Sequence, residues 1–247
     1  MARGARQRSD SGYMHLITRG IGRQALFEER EDYLFYLSIL ERYSRETEVV
    51  ILAYCLMENH VHLLVEDVEG HVSLLMKKLG VSYSGYYNRK YKRQGHLFQD
   101  RFLSEAIEED GYLLTVFRYI LNNPEKAGIC PAAAYEWSSY RLYGQDSALT
   151  DTALVRAMLG DEDRYRDFIA MPNEDECLEY TGNRRDDDWA RAVIQRQLGE
   201  ESGTALQTMN RDARNKALRK LLNAGMSVRQ IERLTGISRG IVQRAKT

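Results

Sequence analysis

The apolar positions of this chain switch between a period of two and a period near 3.6. "GYMHLITRG" (12–20) alternates and predicts a first strand, broken at Gly20 and Gly22. "EEREDYLFYLSILERYSRET" (28–47) sets Tyr33, Leu34, Tyr36, Leu37, Ile39 and Leu40 at helical spacing. "EVVILAYCLM" (48–57) reads as a buried strand, Glu58 and Asn59 as a turn, and "HVHLLVE" (60–66) as the next strand of a hairpin. A second long helix follows in "VSLLMKKLGVSYSGYYNRKY" (72–91), then a loop and short strand in "QGHLFQDRFLSEAI" (94–107). "EEDGYLLTVFRYILNN" (108–123) predicts a third helix, ended by Pro124. The order β-α-β-β-α-β-α predicts an α+β protein. Its first six elements fit the ferredoxin-like split βαβ plan, an antiparallel sheet with its helices on one face.

Beyond residue 145 or so the pattern changes. "SALTDTALVRAMLG" (147–160) and "EDRYRDFIAM" (162–171) predict short helices, and the acidic, weakly apolar stretch 172–190 reads as a linker. Three helix-length pieces close the chain: "RDARNKALRKLLNAG" (211–225), "SVRQIERLTG" (227–236) and "SRGIVQRAKT" (238–247). The last two suggest a helix-turn-helix, with Ser227 and Ser238 as N-caps and Gly236 in the turn. Ile231, Leu234, Ile237, Ile241 and Val242 would form its small core, and Arg239, Gln243 and Arg244 would face a DNA major groove. The expected domains are therefore 1–145, a helical and acidic connecting segment 146–204, and a small all-α DNA-binding domain 205–247.

A chain of 247 residues with 43% hydrophobic content can build one well-packed domain and a smaller one. No apolar run approaches the roughly 20 residues that span a bilayer, and "MARGARQRSD" is not of signal-peptide type. A cytoplasmic protein without a membrane partner is expected. Cys55, Cys130 and Cys177 are scattered and odd in number, which points to buried free thiols rather than disulfides or a metal site.

The formal net charge of -1 conceals segregation. Between Asn88 and Arg101 five basic residues face one acid, and from Ala205 onward ten face two, while the chain between is rich in acid. Two basic regions of that kind suggest nucleic acid as the partner. Arg89, Lys90, Lys92 and Arg93 are the candidate DNA contacts, with Arg19 and Arg23 beside them. Tyr83, Tyr86, Tyr87 and Tyr91 lie among these charges and could stack on bases or pack in a core.

Candidate chemistry centres on "MENHVHLLVE" (57–66). Residues i and i+2 of a strand share a face, so His60 and His62 project together and could hold one cation. Spacing alone fits two surface histidines as well. In "FRYILNNP", Tyr119 and Asn123 are four residues apart on one helix face, offering a phenol and an amide oxygen. Tyr112 is a rival nucleophile one heptad earlier, but Val116, not a ligand, stands four residues after it. His15 reads as a satisfied structural histidine and His96 as a loop residue of no chemical importance.

These pieces together resemble the HUH single-tyrosine transposases, most closely the REP-associated tyrosine transposases and their insertion-sequence relatives. The resemblance rests on "YCLMENHVHLLVE", "HLITRGIGRQALF", "YYNRKYKRQGHLFQDRF", "YILNNPEKAGI" and "YEWSSY", and covers roughly residues 10–142. It implies that His60 and His62 hold Mg²⁺ or Mn²⁺ against a scissile phosphate of single-stranded or hairpin DNA. Tyr119 would attack that phosphate, leaving a 5′-phosphotyrosine and a free 3′-OH. Insertion-sequence relatives often carry glutamine four residues after the tyrosine as third ligand, where this chain has Asn123. Asn122 or water could serve instead. Such relatives are often dimers that share active sites, so a homodimer is one assembly open to this chain. Two other readings remain: a DNA-binding regulator with a vestigial nuclease site, and an unrelated metallohydrolase drawing on Glu58 or Glu66.

Overall fold

Strand β1 (Tyr13–Arg19) is buried over its five central residues, and the hairpin of β2 (Val50–Met57) and β3 (His60–Glu66) is buried almost throughout. Burial of that kind requires cover on both faces of the sheet. In this computed structural model, residues 9–171, 177–179, 187–199, 203–226 and 228–245 are described. With β4 (Leu103–Ile107) the strands form an antiparallel sheet in the order β2-β3-β1-β4. This is the expected split βαβ arrangement.

Parity along each strand assigns its residues to a face. Met14, Leu16, Val61, Leu63 and Val65 pack with helices α1 (Arg30–Thr47) and α2 (Val72–Lys90). Leu64 and Ile107 pack on the opposite face with helix α3 (Asp110–Leu121). The expectation of helices on one face thus holds for α1 and α2, while α3 covers the other. A register shift between Ile51 and Ala53 reverses parity within β2. Ile51 faces α1 and α2, both Leu52 and Ala53 face α3, and alternation resumes at Tyr54.

Pro124 does not end the helical path. Helix α3 stops at Leu121, Asn122 forms its C-cap, and a one-turn helix, α4 (Asn123–Lys126), restarts with Pro124 in its first turn. Proline lacks the N–H that would continue α3, but its fixed φ suits a helix start.

Contacts divide the chain into Met1–Tyr180 and Thr181–Thr247. This moves both expected boundaries. Helices α5 (Ala153–Leu159) and α6 (Glu162–Ala170) contribute Val155, Tyr165 and Ile169 to the α3-side core of the first unit. The stretch expected as a linker lies partly outside the described residues, and from Asp187 it is a helix, α7 (Asp187–Leu198). Ala190, Val193 and Ile194 of α7 share the second unit's core with Leu218 and Leu221 of α8 (Arg211–Asn223), Ile231 of α9 (Val228–Thr235) and Val242 of α10 (Arg239–Arg244). Among the described residues no helix is long and apolar enough to cross a membrane. Cys55 is buried, Cys130 and Cys177 are half-buried, and none of the three forms a disulfide.

One buried carboxylate joins α1 to α2. Asp32 accepts from the amides of Glu28 (2.9 Å) and Glu29 (3.0 Å), from the hydroxyls of Tyr86 (2.9 Å) and Tyr91 (2.6 Å), and from Lys90 Nζ (2.7 Å). Burial alone would raise its pKa, but the donors, Lys90 foremost, outweigh burial and hold it at about 2, against 3.8 when free. A folded pKa below the unfolded one means that the unfolded chain binds more protons between the two values. The contribution, roughly 2 kcal/mol for a shift of that size, is therefore complete above pH 4 or so and lost as the pH falls towards 2. Asp32→Asn is expected to cost about 2–4 kcal/mol in denaturant unfolding at pH 7, and the gap to wild type should close on acidification into that window.

Candidate active site

The face of the sheet under α3 carries the polar groups. His60 and His62 lie on this side of β3, with ring centroids 4.9 Å apart. Helix α3 buries Leu113, Val116, Phe117, Ile120 and Leu121 against the sheet, and this packing brings Tyr119 within 5.8 Å of the His62 ring. Asn123, also buried, donates from Nδ2 to the Tyr119 carbonyl at 2.9 Å, and its amide acts on the neighbouring His60 ring. The structure thus gathers His60, His62, Tyr119 and Asn123. Asn122 points elsewhere, its amide donating to the Ile169 carbonyl at 2.8 Å. Glu58, in the hairpin turn, accepts backbone amides of Leu26 and Phe27 through its own carbonyl. Glu66 ends β3 and takes a hydrogen bond from Tyr13 at 3.4 Å.

Electrostatics keep the imidazoles neutral. Burial, then the charge of Arg19, push His60 down to about 4, with Asn123 and Glu179 opposing. Burial and the neighbouring His15, His60 and Lys126 lower His62 well below the usual histidine range. The Tyr119 phenol is raised by burial and by the adjacent Glu179 carboxylate. Neutral imidazole is the form that binds metal. Among the described residues no group of three or more His, Cys, Asp or Glu side chains is placed to hold a metal ion. A cation here would take two imidazoles and complete its shell with other oxygens, such as the Asn123 amide or water.

Sequence reasoning missed several members of the site. His15, expected as a structural histidine, is fully buried with Nε2 3.0 Å from His62 Nδ1, and its ring lies 6.0 Å from that of Tyr119. Glu105 faces it across the β1–β4 pair, 3.9 Å from His15 Nδ1. Tyr112, the rival nucleophile, donates to Glu105 Oε2 at 3.0 Å. The Tyr119 hydroxyl donates to Glu179 Oε1 at 3.0 Å, and the same oxygen takes Lys126 Nζ at 2.6 Å. Only alternation along β1, which puts His15 on an inward position, could have hinted at any of these.

The candidate DNA contacts separate into two kinds. Arg89, Lys92 and Arg23 are exposed. Arg19 ends β1 directly opposite His60. Arg93 donates to Gln24 Oε1 at 2.7 Å and lies over the Tyr87 ring. Lys90, by contrast, is turned into the Asp32 cluster and also pairs with Glu29 at 3.0 Å. Tyr83 and Tyr87 are core residues, and Tyr86 and Tyr91 are spent on Asp32. Backbone bonds hold three loops side by side, Gly20 to Asn59 and Ile21 to Leu97 both at 2.9 Å. Arg19 and the exposed Arg23 therefore border the hairpin turn that leads into His60, and Arg93 joins the end of α2 to the same loop through Gln24. A Cβ on Gly20 would stand 2.2 Å from the Gln24 carbonyl oxygen, so this join requires glycine.

In the second unit, α9 and α10 are joined by a turn in which Gly236 takes a φ of 71°. Ile231, Ile237 and Val242 are buried, with Leu234 and Ile241 packed against them. Ser238 is the N-cap of α10, and Ser227 lies outside the described residues. Gln243 and Arg244 are exposed, and Arg239 pairs with Glu232.

Comparison with known proteins agrees with this architecture. The solved structure of a REP-associated tyrosine transposase bound to a REP hairpin superposes with a TM-score of 0.51 at 16% identity, over 62% of this chain and 94% of that one. A crystal structure from Deinococcus radiodurans, of a protein assigned as a transposase, is 19% identical over 49% of this chain and 97% of that one, with a TM-score of 0.34. None of the curated proteins matches. The model of the IS200-like transposase family matches residues 8–123, from before β1 through Tyr119 to Asn123. Residues 8–123 are thus similar to the IS200-like transposase family.

Proposed function

We propose that the first unit cuts and rejoins single-stranded or hairpin DNA, with Tyr119 as the catalytic nucleophile. The observation that carries this reading is the convergence of His60, His62 and Tyr119 on one buried sheet face, with His62 5.8 Å from the phenol ring. The donor set fits a divalent cation, since two neutral imidazoles and an amide oxygen suit Mn²⁺ or Mg²⁺ completed by water. Bound between His60 and His62, such a cation would neutralise charge on the scissile phosphate.

The chain's own groups supply the remainder. The Tyr119 oxygen attacks phosphorus, the bond to the 3′-oxygen breaks, and a 5′-phosphotyrosine and a free 3′-OH result. Glu179 already accepts the phenol's hydrogen bond at 3.0 Å and is the group to receive its proton. Lys126 keeps Glu179 ionised, its hydrogen bond being the chief cause of that carboxyl's lowered pKa. The leaving 3′-oxygen takes a proton from water. Attack by a later 3′-OH reverses the exchange, and the phosphotyrosine conserves the bond energy, so no ATP is consumed. Arg19, Arg23, Arg89, Lys92 and Arg93 would bind the DNA backbone beside the site. The relative bound to a REP hairpin has the same fold, which favours a hairpin as the substrate to try first.

A panel of 3′-labelled single-stranded hairpins, incubated with the protein and Mn²⁺, is expected to yield a protein-linked band on a denaturing gel. Tyr119→Phe should abolish that band and leave hairpin binding intact. A linked Phe variant would remove Tyr119 as nucleophile. Binding by wild type without any adduct would favour the regulator with a vestigial site.

The second unit we read as a helix-turn-helix that presents Gln243 and Arg244 to duplex DNA. Replacing either with Ala is expected to weaken binding to a selected duplex site about 10-fold, measured by gel shift, without changing adduct formation on the hairpin. Equal losses on random duplex would assign these side chains to phosphate contact instead.

A further inference from the structure

Strand register assembles a line of polar groups behind His62 that the reaction itself does not use. His15 and Glu105 are directly opposed across β1 and β4, and His62 lies diagonally across β1 and β3, opposite Ile17. His15 Nε2 meets His62 Nδ1 at 3.0 Å, and His15 Nδ1 stands 3.9 Å from Glu105 Oε2. Glu105 is itself held, accepting from the Tyr112 hydroxyl at 3.0 Å and from the Leu178 amide at 3.3 Å.

A single proton sits between the two imidazoles, and its placement decides what His62 can do. If His15 donates it, His62 keeps its own proton on Nε2 and has no lone pair for a cation. If His62 donates from Nδ1, its Nε2 lone pair is free, and His15 must carry its proton on Nδ1. Glu105 selects the second arrangement, because an N–H facing a carboxylate is attractive and a lone pair facing it is repulsive. His15 is fully buried and its Nδ1 has no hydrogen-bond partner, so Glu105 is the charge that biases it. His60 is set in the same sense from the other side: its Nδ1 meets Asn59 Oδ1 at 2.7 Å, and an amide oxygen only accepts.

We infer that His15 and Glu105 are positioning residues, which fix His62 as the Nδ1–H tautomer and hold its Nε2 towards a divalent cation. Tyr112 takes its place as the donor that anchors Glu105. The inference rests on the proposed role of His62 as a metal ligand, and partners one step behind a ligand typically change metal affinity by 10–100-fold.

Two readouts independent of DNA cleavage test it. In the metal-free full-length protein, the ¹⁵N shifts of the His62 ring should report a protonated Nδ1 and a bare Nε2. A protonated Nε2 overturns the relay whatever the protein does with metal. In Mn²⁺ titrations followed by EPR, His15→Phe should bind about 10-fold or more weakly. His15→Gln, which can still accept from His62, should recover most of that loss. Glu105→Gln, at a partly exposed position, tests the relay without altering the core and should lose part of the affinity. Equal Mn²⁺ affinity in wild type, His15→Phe and Glu105→Gln overturns the relay alone. Absence of Mn²⁺ binding by wild type overturns the functional reading, and this role with it.

Discussion

Imidazole nitrogens buried in an apolar sheet face must be matched, because an unpaired polar group in that setting costs on the order of 1–3 kcal/mol. The α3 side of this sheet is arranged around that constraint. Leu64, Ile107, Val116 and Ile120 make the surroundings apolar, while His15, His60, His62 and Tyr119 lie among them. Asn59 answers His60, His15 answers His62 and Glu179 answers Tyr119, while His15 Nδ1 faces the Glu105 carboxylate at 3.9 Å without a hydrogen bond. The partners come from β1, from the hairpin turn and from the segment around Glu179, so polar contacts join parts of the chain that are far apart in sequence.

The opposite face solves a different problem with the same means. Helices α1 and α2 carry Tyr36, Tyr83 and Tyr87 into one aromatic core, and Asp32 gathers five donors at its rim. That arrangement consumes Lys90, Tyr86 and Tyr91 as structure. The exposed basic surface at the end of α2 is consequently narrower than the composition of the run indicates. Exposed Arg89 and Lys92 remain, with Arg93 anchored on Gln24 so that the run stays next to the loop carrying Arg23.

Much of this was legible in the chain. Local periodicity located the four strands and first three helices within a few residues, because alternation and helical spacing are local properties. The shared face of His60 with His62 follows from the same arithmetic, whereas Asn123 reaches the Tyr119 carbonyl from across the helix break at Asn122. What was not legible depends on separation. His15 meets His62 across 47 residues, Lys90 meets Asp32 across 58, and Tyr119 meets Glu179 across 60. No local pattern encodes those distances. Helix α7 was hidden differently, since its acidic start merges with the acidic stretch before it, although Ala190, Val193 and Ile194 carry helical spacing. Pro124 misled because proline ends one helix and begins the next at the same point.

The protonation states form a consistent set. Burial holds His15, His60 and His62 neutral, and burial with Glu179 holds the Tyr119 phenol neutral. An ionised Tyr119 beside Glu179 would place two negative charges within a hydrogen bond of each other, so the pair shares one negative charge, and Lys126 keeps it on the carboxylate. The positive charges nearest the histidines, Arg19 and Lys126, both oppose imidazole protonation. The face is therefore poised with lone pairs on nitrogen and the proton on phenol oxygen. That is the state which the proposed cation and phosphate would enter without first displacing a proton from His60 or His62, with the phenol proton one hydrogen bond from the Glu179 carboxylate.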